Sequence, residues 1–169
     1  LNLPTLRVRA PGIFDSPDQL VVSSVLDWNG GRISGTEGST LTLPSGASAS
    51  VVLDDAHSEA VLHLRTLINQ GTVLVSGTGS SPFNHRFTLD GADIDNQGDF
   101  ELRSNNQNNL VLDCATTDCA SFFNRTGATL RLNDLQGIAV IGPGLTALNN
   151  AGLVELVHGC GQINPPGVD

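Results

Sequence analysis

The chain has 169 residues, a formal net charge of −9 and a sequence pI near 4.6, with Lys+Arg totalling 8 against 17 for Asp+Glu. That length suits one domain with a real core, and the acidic balance makes nucleic acid and anionic membrane poor partners, so neither is expected. No apolar run approaches the eighteen or more residues of a membrane helix, so no membrane insertion is expected, and no cofactor is expected either.

The chain starts at Leu1 and holds no methionine, so a targeting segment is expected to have been cleaved or to lie outside the sequence given, and its absence does not argue for a cytoplasmic protein. In the first stretch, residues 1–25, Leu6 and Val8 alternate with Arg7 and Arg9 between two prolines, and "LVVSSV" resumes the alternation. This stretch does not fit the repeat described below. It reads as an N-terminal cap over exposed strand edges, or as a strand that pairs with another subunit. Residues 26–169 form the repeat domain.

Alternating segments separated by glycine and serine turns follow, in "DWNGGRISGTEGSTLTL" (Asp27 to Leu43) and "LTLPSGAS" (Leu41 to Ser48). The latter has the texture of "FTLDGADI" (Phe87 to Ile94): strand, turn residues, Gly-Ala, new strand. Between them "DDAHSEAVLHLRTL" (Asp54 to Leu67) is the one candidate helix, and its apolar spacing fits only partly. It reads as a polar loop running into a strand.

From Leu67 one frame recurs: "LINQGTVLV", "IDNQGDFEL" (from Ile94), "FNRTGATLRL" (from Phe123) and "LNNAGLVEL" (from Leu148). Each has an apolar residue, three mostly polar residues, a glycine (Gly71, Gly98, Gly127, Gly152) and then alternation at the strand period of two. In the third copy the alternation starts one residue late, at Leu130. Short strands repeating every 25 to 29 residues predict an all-β fold, a β-solenoid in which each repeat is one coil. Stacking would bring Val73, Phe100, Leu130 and Val154 into one inner wall. Asn69, Asn96 and Asn150, two before their glycines, would lie above one another as an amide ladder or a turn column.

The repeat also accounts for "DGADIDNQGDFELR" (Asp90 to Arg103), which matches an EF-hand loop from Asp93 through Phe100. Position 12 is Ser104 rather than a bidentate glutamate, and the flanks lack helical periodicity. Its carboxylates fall mostly in variable slots of the repeat, so no metal site is assigned. Asn124 with Thr126 forms a sequon near background frequency. Cys114 and Cys119 bracket a loop short enough for a local disulfide, leaving Cys160 over.

Catalysis has one candidate group, Asp54, Asp55, His57 and Glu59, which crowd one polar loop as a solvated surface would. His63, His85 and His158 lack metal-ligand spacing to one another. Thr40, Thr72, Thr88 and Thr129 fall in different slots, unlike the single slot of an ice-binding solenoid.

"WNGGRISGTEGSTLTLPSGAS", "TLINQGTVLVSG" and "ALNNAGLVEL" resemble the repeats of bacterial secreted β-solenoid surface proteins of the filamentous haemagglutinin and autotransporter-passenger type, over approximately Leu26 to Val157. The resemblance implies a right-handed parallel β-helix, export to the bacterial cell surface, and a role as adhesin, stalk or fibre component. The expected partners are a second copy of the chain or a cell-surface or matrix component. The alternative is a β-helix that binds or cleaves polysaccharide.

Overall fold

A computed structural model describes residues 1–79, 85–105, 110–114, 120–134, 139–142, 145–158 and 162–163. All regular structure among them is strand, and every pairing between strands is parallel. The chain winds as a parallel β-helix, a β-solenoid with three sheet faces met in the same order in every coil.

The first face stacks residues 2–3, 20–22, 41–43, 67–69, 94–96, 122–124 and 148–150. The second stacks residues 5–9, 25–29, 48–53, 72–77, 99–104, 129–134 and 153–157. The third stacks residues 13–15, 32–34, 60–63, 86–90, 110–114, 139–141 and 162–163. Parallel neighbours in one sheet need a long connection between them, and here each connection is the rest of the coil.

Alternation sends every second side chain inward, and the stack lines these up. On the second face Leu6, Leu26, Ala49, Val73, Phe100, Leu130 and Val154 form one column. Beside it run Val8, Trp28, Val51, Val75, Leu102, Leu132 and Leu156. The first face adds Leu20, Leu41, Leu67, Ile94, Phe122 and Leu148. Most of these side chains are buried in one continuous core. Bulky rings meet across faces and coils, with Phe100 edge-on to Phe122 at 5.2 Å and Trp28 edge-on to Phe87 at 5.5 Å. Each fully buried aliphatic or aromatic side chain contributes roughly 1.5–3 kcal/mol of transfer free energy.

The inner wall of Val73, Phe100, Leu130 and Val154 is the one expected from the repeat. Other expectations change. Residues 1–15 are a full coil: Asn2–Arg9 pairs in register with the strand Leu20–Asn29, and Leu6 and Val8 are buried against it. The segments 41–48 and 87–94, alike in texture, lie at different corners. The first turns from first to second face, the second from third to first. Gly38, likewise, belongs to the corner leading into the first face. Residues 54–58 make a tight turn, closed by paired backbone bonds between Asp54 and His57, before the strand Glu59–Asn69.

Candidate functional site

The corner from first to second face is the most regular part of each coil. Asn69, Asn96, Asn124 and Asn150 stand in one column, and each side-chain Nδ2 donates to the next Oδ1 at 2.8 Å, from Asn69 down to Asn150. The second amide proton of Asn69, Asn96 and Asn124 goes to the backbone carbonyl of Asp99, Thr129 and Leu153 respectively. Asn69, Asn96 and Asn124 are buried, so these bonds satisfy polar groups that would otherwise be costly inside a core. The expected ladder is present with one member more. Asn124, noted in the sequence only as a sequon, is a buried rung, which leaves its amide no room for a glycan in the folded chain.

The glycines beside the ladder divide into two kinds. Gly71, Gly98 and Gly152 share a column with Ala47 and Ala128. A Cβ at Gly71, Gly98 or Gly152 would run into the carbonyl oxygen of Ala47, Gly71 or Ala128 in the preceding coil. Gly127 lies one position before this column. It has φ of +84° in a turn closed by Ala128 N–H donating to Arg125 O at 2.9 Å, and open space where a Cβ would be. Gly46 at φ +86° does the same in "LPSGA". Corners of the N-x-G kind therefore need glycine for close approach, whereas the corners two residues longer use a glycine at positive φ and place alanine in the column.

The outer side of the second face carries ionic columns. Arg9 meets Asp27 at 2.6 Å and Arg7 approaches it at 3.7 Å. The hydrogen bond from Arg9 holds the Asp27 carboxyl below its ordinary value, against desolvation. Further along, Glu101 accepts from Arg103 at 2.8 Å and from Asn133 at 2.9 Å, and Arg131 bonds Glu155 at 2.8 Å. Burial pushes the Glu101 carboxyl up, but the bonds from Arg103 and Asn133 and the charges of Arg103 and Arg131 outweigh it and hold it low. Thr72 and Thr129, which the sequence separates, share a column here with Ser48 and Asp99.

The other sequence candidates are placed as follows. Asp54 caps its own turn, accepting the backbone N–H groups of Ala56 and His57 at 2.9 and 2.8 Å, with the His57 ring 3.0 Å away. Glu59 accepts from Thr88 at 2.6 Å. On the outer third face Asp90 lies 3.3 Å from Arg32 and 2.7 Å from His63 Nδ1, the latter off the line of a hydrogen bond. Asp54 and His57 thus stay together, Asp55 lies 3.8 Å from the Nε2 of the buried His85, and Glu59 turns to Thr88, so the four divide between separate partners. The carboxylates of the calcium-like stretch are engaged: Asp93 accepts from the Ser121 N–H at 2.7 Å, and Asp95 from Arg125 at 2.6 Å. Among the described residues no group of three or more His, Cys, Asp or Glu is arranged to hold a metal. Cys114 ends the strand Leu110–Cys114; Cys119, its expected disulfide partner, and Cys160 lie outside the described residues.

Sequence reasoning missed Arg65. It lies at the corner into the first face, 1% exposed, where the register slips between Ser34 and Ser39 against the strand Glu59–Asn69. Its guanidinium donates to the Thr40 carbonyl at 2.6 Å, to the Ser34 carbonyl at 3.2 Å and to the Ser16 carbonyl. Burial pushes its pKa down and Asp15 opposes the shift. An arginine in an alternating run gives no sign that it points inward; the signal is that Leu64, at φ +51°, reverses the alternation just before it.

The two ends of the stack are the remaining surfaces. At the N-terminal end Leu3 and Phe14 are partly buried and Leu1 and Arg7 are exposed; at the other end Leu148, Val154 and Ile163 are partly buried and Leu156 is 57% exposed. A regular coil stack with ionic outer columns and apolar ends defines a parallel β-helix whose chemistry lies in its surfaces. No protein-family model, no curated protein and no solved structure matches the chain.

Proposed function

We propose that the protein is an extracellular structural or adhesive β-solenoid, a self-associating component of a bacterial cell surface or fibre. The observation that carries this reading is the continuity of the coil. From Leu43 onward each corner from first to second face carries a ladder amide or a closed turn, so the sequence is spent on length and regularity of the stack. The ordered groups on the outer second face pair with one another, as suits a rod that presents a durable surface. Resemblance of the glycine-punctuated repeats to secreted surface proteins supports export.

Electron microscopy of the purified chain and of the native material tests the reading. Rods or fibres are expected, with label on the surface of intact producing cells. Dispersed monomers, or label confined to the cell interior, would count against it.

A second reading, binding or cleavage of polysaccharide, draws on Arg32, His63 and Asp90 on the outer third face. A turnover assay on acidic polysaccharides decides it. Robust product release, lost on replacing Asp54 and Asp55 or on His63→Ala, would establish that reading in place of the first.

A further inference from the structure

The outer side of the second face has a central column in which Leu74 takes the middle coil. Ser50, Asp27 and Arg7 follow in successive coils toward the N-terminal end, and Glu101, Arg131 and Glu155 follow in the other direction. Counted outward from Leu74, the second coils on the two sides carry Asp27 and Arg131, and the third carry Arg7 and Glu155. The two halves of the column are thus opposite in charge at equal distances from its middle. These groups are open to a partner, since Arg7 and Asp27 keep 74% and 33% of their side-chain surface exposed, and Arg131 and Glu155 keep 35% and 38%.

A half-turn about the strand direction at Leu74 lays the same face of a second copy on this one, with the coil order reversed and each column facing itself. Asp27 then faces Arg131 of the second copy, and Arg131 faces its Asp27. The in-chain pairs Arg9–Asp27 and Arg131–Glu155 are thereby joined into networks of alternating sign. On the axis Leu74 meets Leu74, and beside it the Ser50 hydroxyl faces the Glu101 carboxylate. In the flanking columns Val25, 39% exposed, faces Thr129, Ser48 faces Asp99 and Val52 faces Arg103. No like charges are opposed anywhere on the face. The deciding pair, Asp27 with Arg131, lies in coils that have a neighbour on each side, so it does not depend on what stands beyond either end of the stack.

Other placements lose this match. An axis between Leu74 and Glu101 sets Asp27 against Glu155. One between Ser50 and Leu74 sets Asp27 against Glu101 and Arg7 against Arg131. Rods laid with their coils in the same order bring Asp27, Glu101 and Arg131 each against itself. Like charges set opposite one another across an interface are destabilising and reject that arrangement.

We infer that the outer second face pairs with the same face of a second copy, the two rods antiparallel about a two-fold axis at Leu74. This rests on the self-association proposed above and gives it a surface and a stoichiometry, because a patch that binds itself closes as a dimer. From strand and residue spacings the face measures roughly 30 by 16 Å. That is below the ~800 Å² per partner of a standard interface, so the dimer should be weak and should form only at raised concentration.

The test uses Leu74→Arg and Leu74→Glu in the 169-residue chain. Leu74 is only partly buried, and circular dichroism with thermal unfolding verifies that each variant folds. In sedimentation equilibrium the parent should dimerise, and each variant alone should do so at least about tenfold more weakly, because equal charges meet on the axis. An equimolar mixture of the two should dimerise again, since opposite charges then meet there. Asp27→Arg and Arg131→Asp provide an independent pair, each weak alone and restored by mixing, which keeps the test open if a Leu74 variant fails to fold. Dimers unchanged in every variant would overturn this face while leaving self-association through another surface standing. Variants weakened singly and not restored by mixing would overturn the two-fold pairing. A parent that stays monomeric up to about 1 mM would remove both the contact and the self-association beneath it.

Discussion

Asn96 has an amide above it and an amide below it, and its two side-chain functions make three bonds: it accepts from Asn69 and donates to Asn124 and to the Thr129 carbonyl. Truncating it leaves buried polar groups on two neighbouring coils without partners, at about 1–3 kcal/mol for each group stranded. Asn96→Ala should therefore lower stability by about 2–4 kcal/mol, measured by urea unfolding, and a loss under about 0.5 kcal/mol would mean that the ladder contributes nothing net. The glycine pair gives a sharper contrast. Gly98→Ala drives a methyl into the Gly71 carbonyl, whereas Gly127→Ala meets empty space and only the strain of its φ. The first should destabilise by several kcal/mol, as overpacking with backbone displacement does, and the second by about 1–2 kcal/mol. Equal losses would show that the two glycines do the same job. Glu101 adds a pH dependence. Its folded carboxyl lies below its unfolded value, so its stabilisation is present above the unfolded pKa and is lost as pH falls through the folded one. Glu101→Gln should flatten the acid side of a thermal-midpoint profile below about pH 4. An acid limb as steep as in the parent would remove that assignment.

At the level of strands and corners, the three faces differ in how tightly they constrain the chain. The N-x-G corners into the second face are short and held by close approach at their glycines, while the corner into the first face carries a bulge at residues 35–38, where Gly38 has open space around it. One extra glycine between Gln97 and Gly98 should break both the amide ladder and the register of Asp99–Ser104. The same insertion after Gly38 should cost little, since loop closure depends only weakly on length. Parallel thermal melts check this, with a drop of ten degrees or more expected for the first and less than three for the second, on the scale set by ~1 kcal/mol per several degrees in a domain this size. This difference also explains what the sequence made legible. The second face could be read because glycine and alternating Val73/Val75, Phe100/Leu102 and Val154/Leu156 recur in one frame. The third face could not, because Ile33, Leu62, Leu89 and Cys114 align only in space, with no fixed glycine before them. Gly127 was read into the glycine column because composition does not distinguish close approach from positive φ. The first coil was set apart for a related reason: Leu6 and Val8 alternate correctly, but Pro4 stands where the later corners have glycine.

For the whole molecule, coil lengths vary while coil spacing does not. Ser50 and Leu74 are neighbours on the outer second face, as are Glu101 and Arg131, although the second pair is further apart in sequence. Part of the variation enters at the first-to-second corner, where Asn96–Gly98 in one coil is matched by Asn124–Ala128 in the next, and the rest at the other corners, so the chain lengthens between faces without disturbing the core columns. The candidate surfaces were only partly legible. Alternation identified which side chains face outward, but not that Arg65 turns inward or that Arg131 reaches Glu155 in the next coil, because such contacts depend on a register that no single segment encodes.

Pulsed electron paramagnetic resonance along one outer column tests the stack most directly. Spin-labelled unnatural amino acids would be placed pairwise at Asp27 and each of Ser50, Leu74, Glu101, Arg131 and Glu155 in turn. The separation should grow by about 4.8 Å per coil, reaching roughly 24 Å at Glu155, whatever the number of residues between the labels. Distances that follow sequence separation instead, or that fail to rise monotonically along the column, would contradict the coil stack.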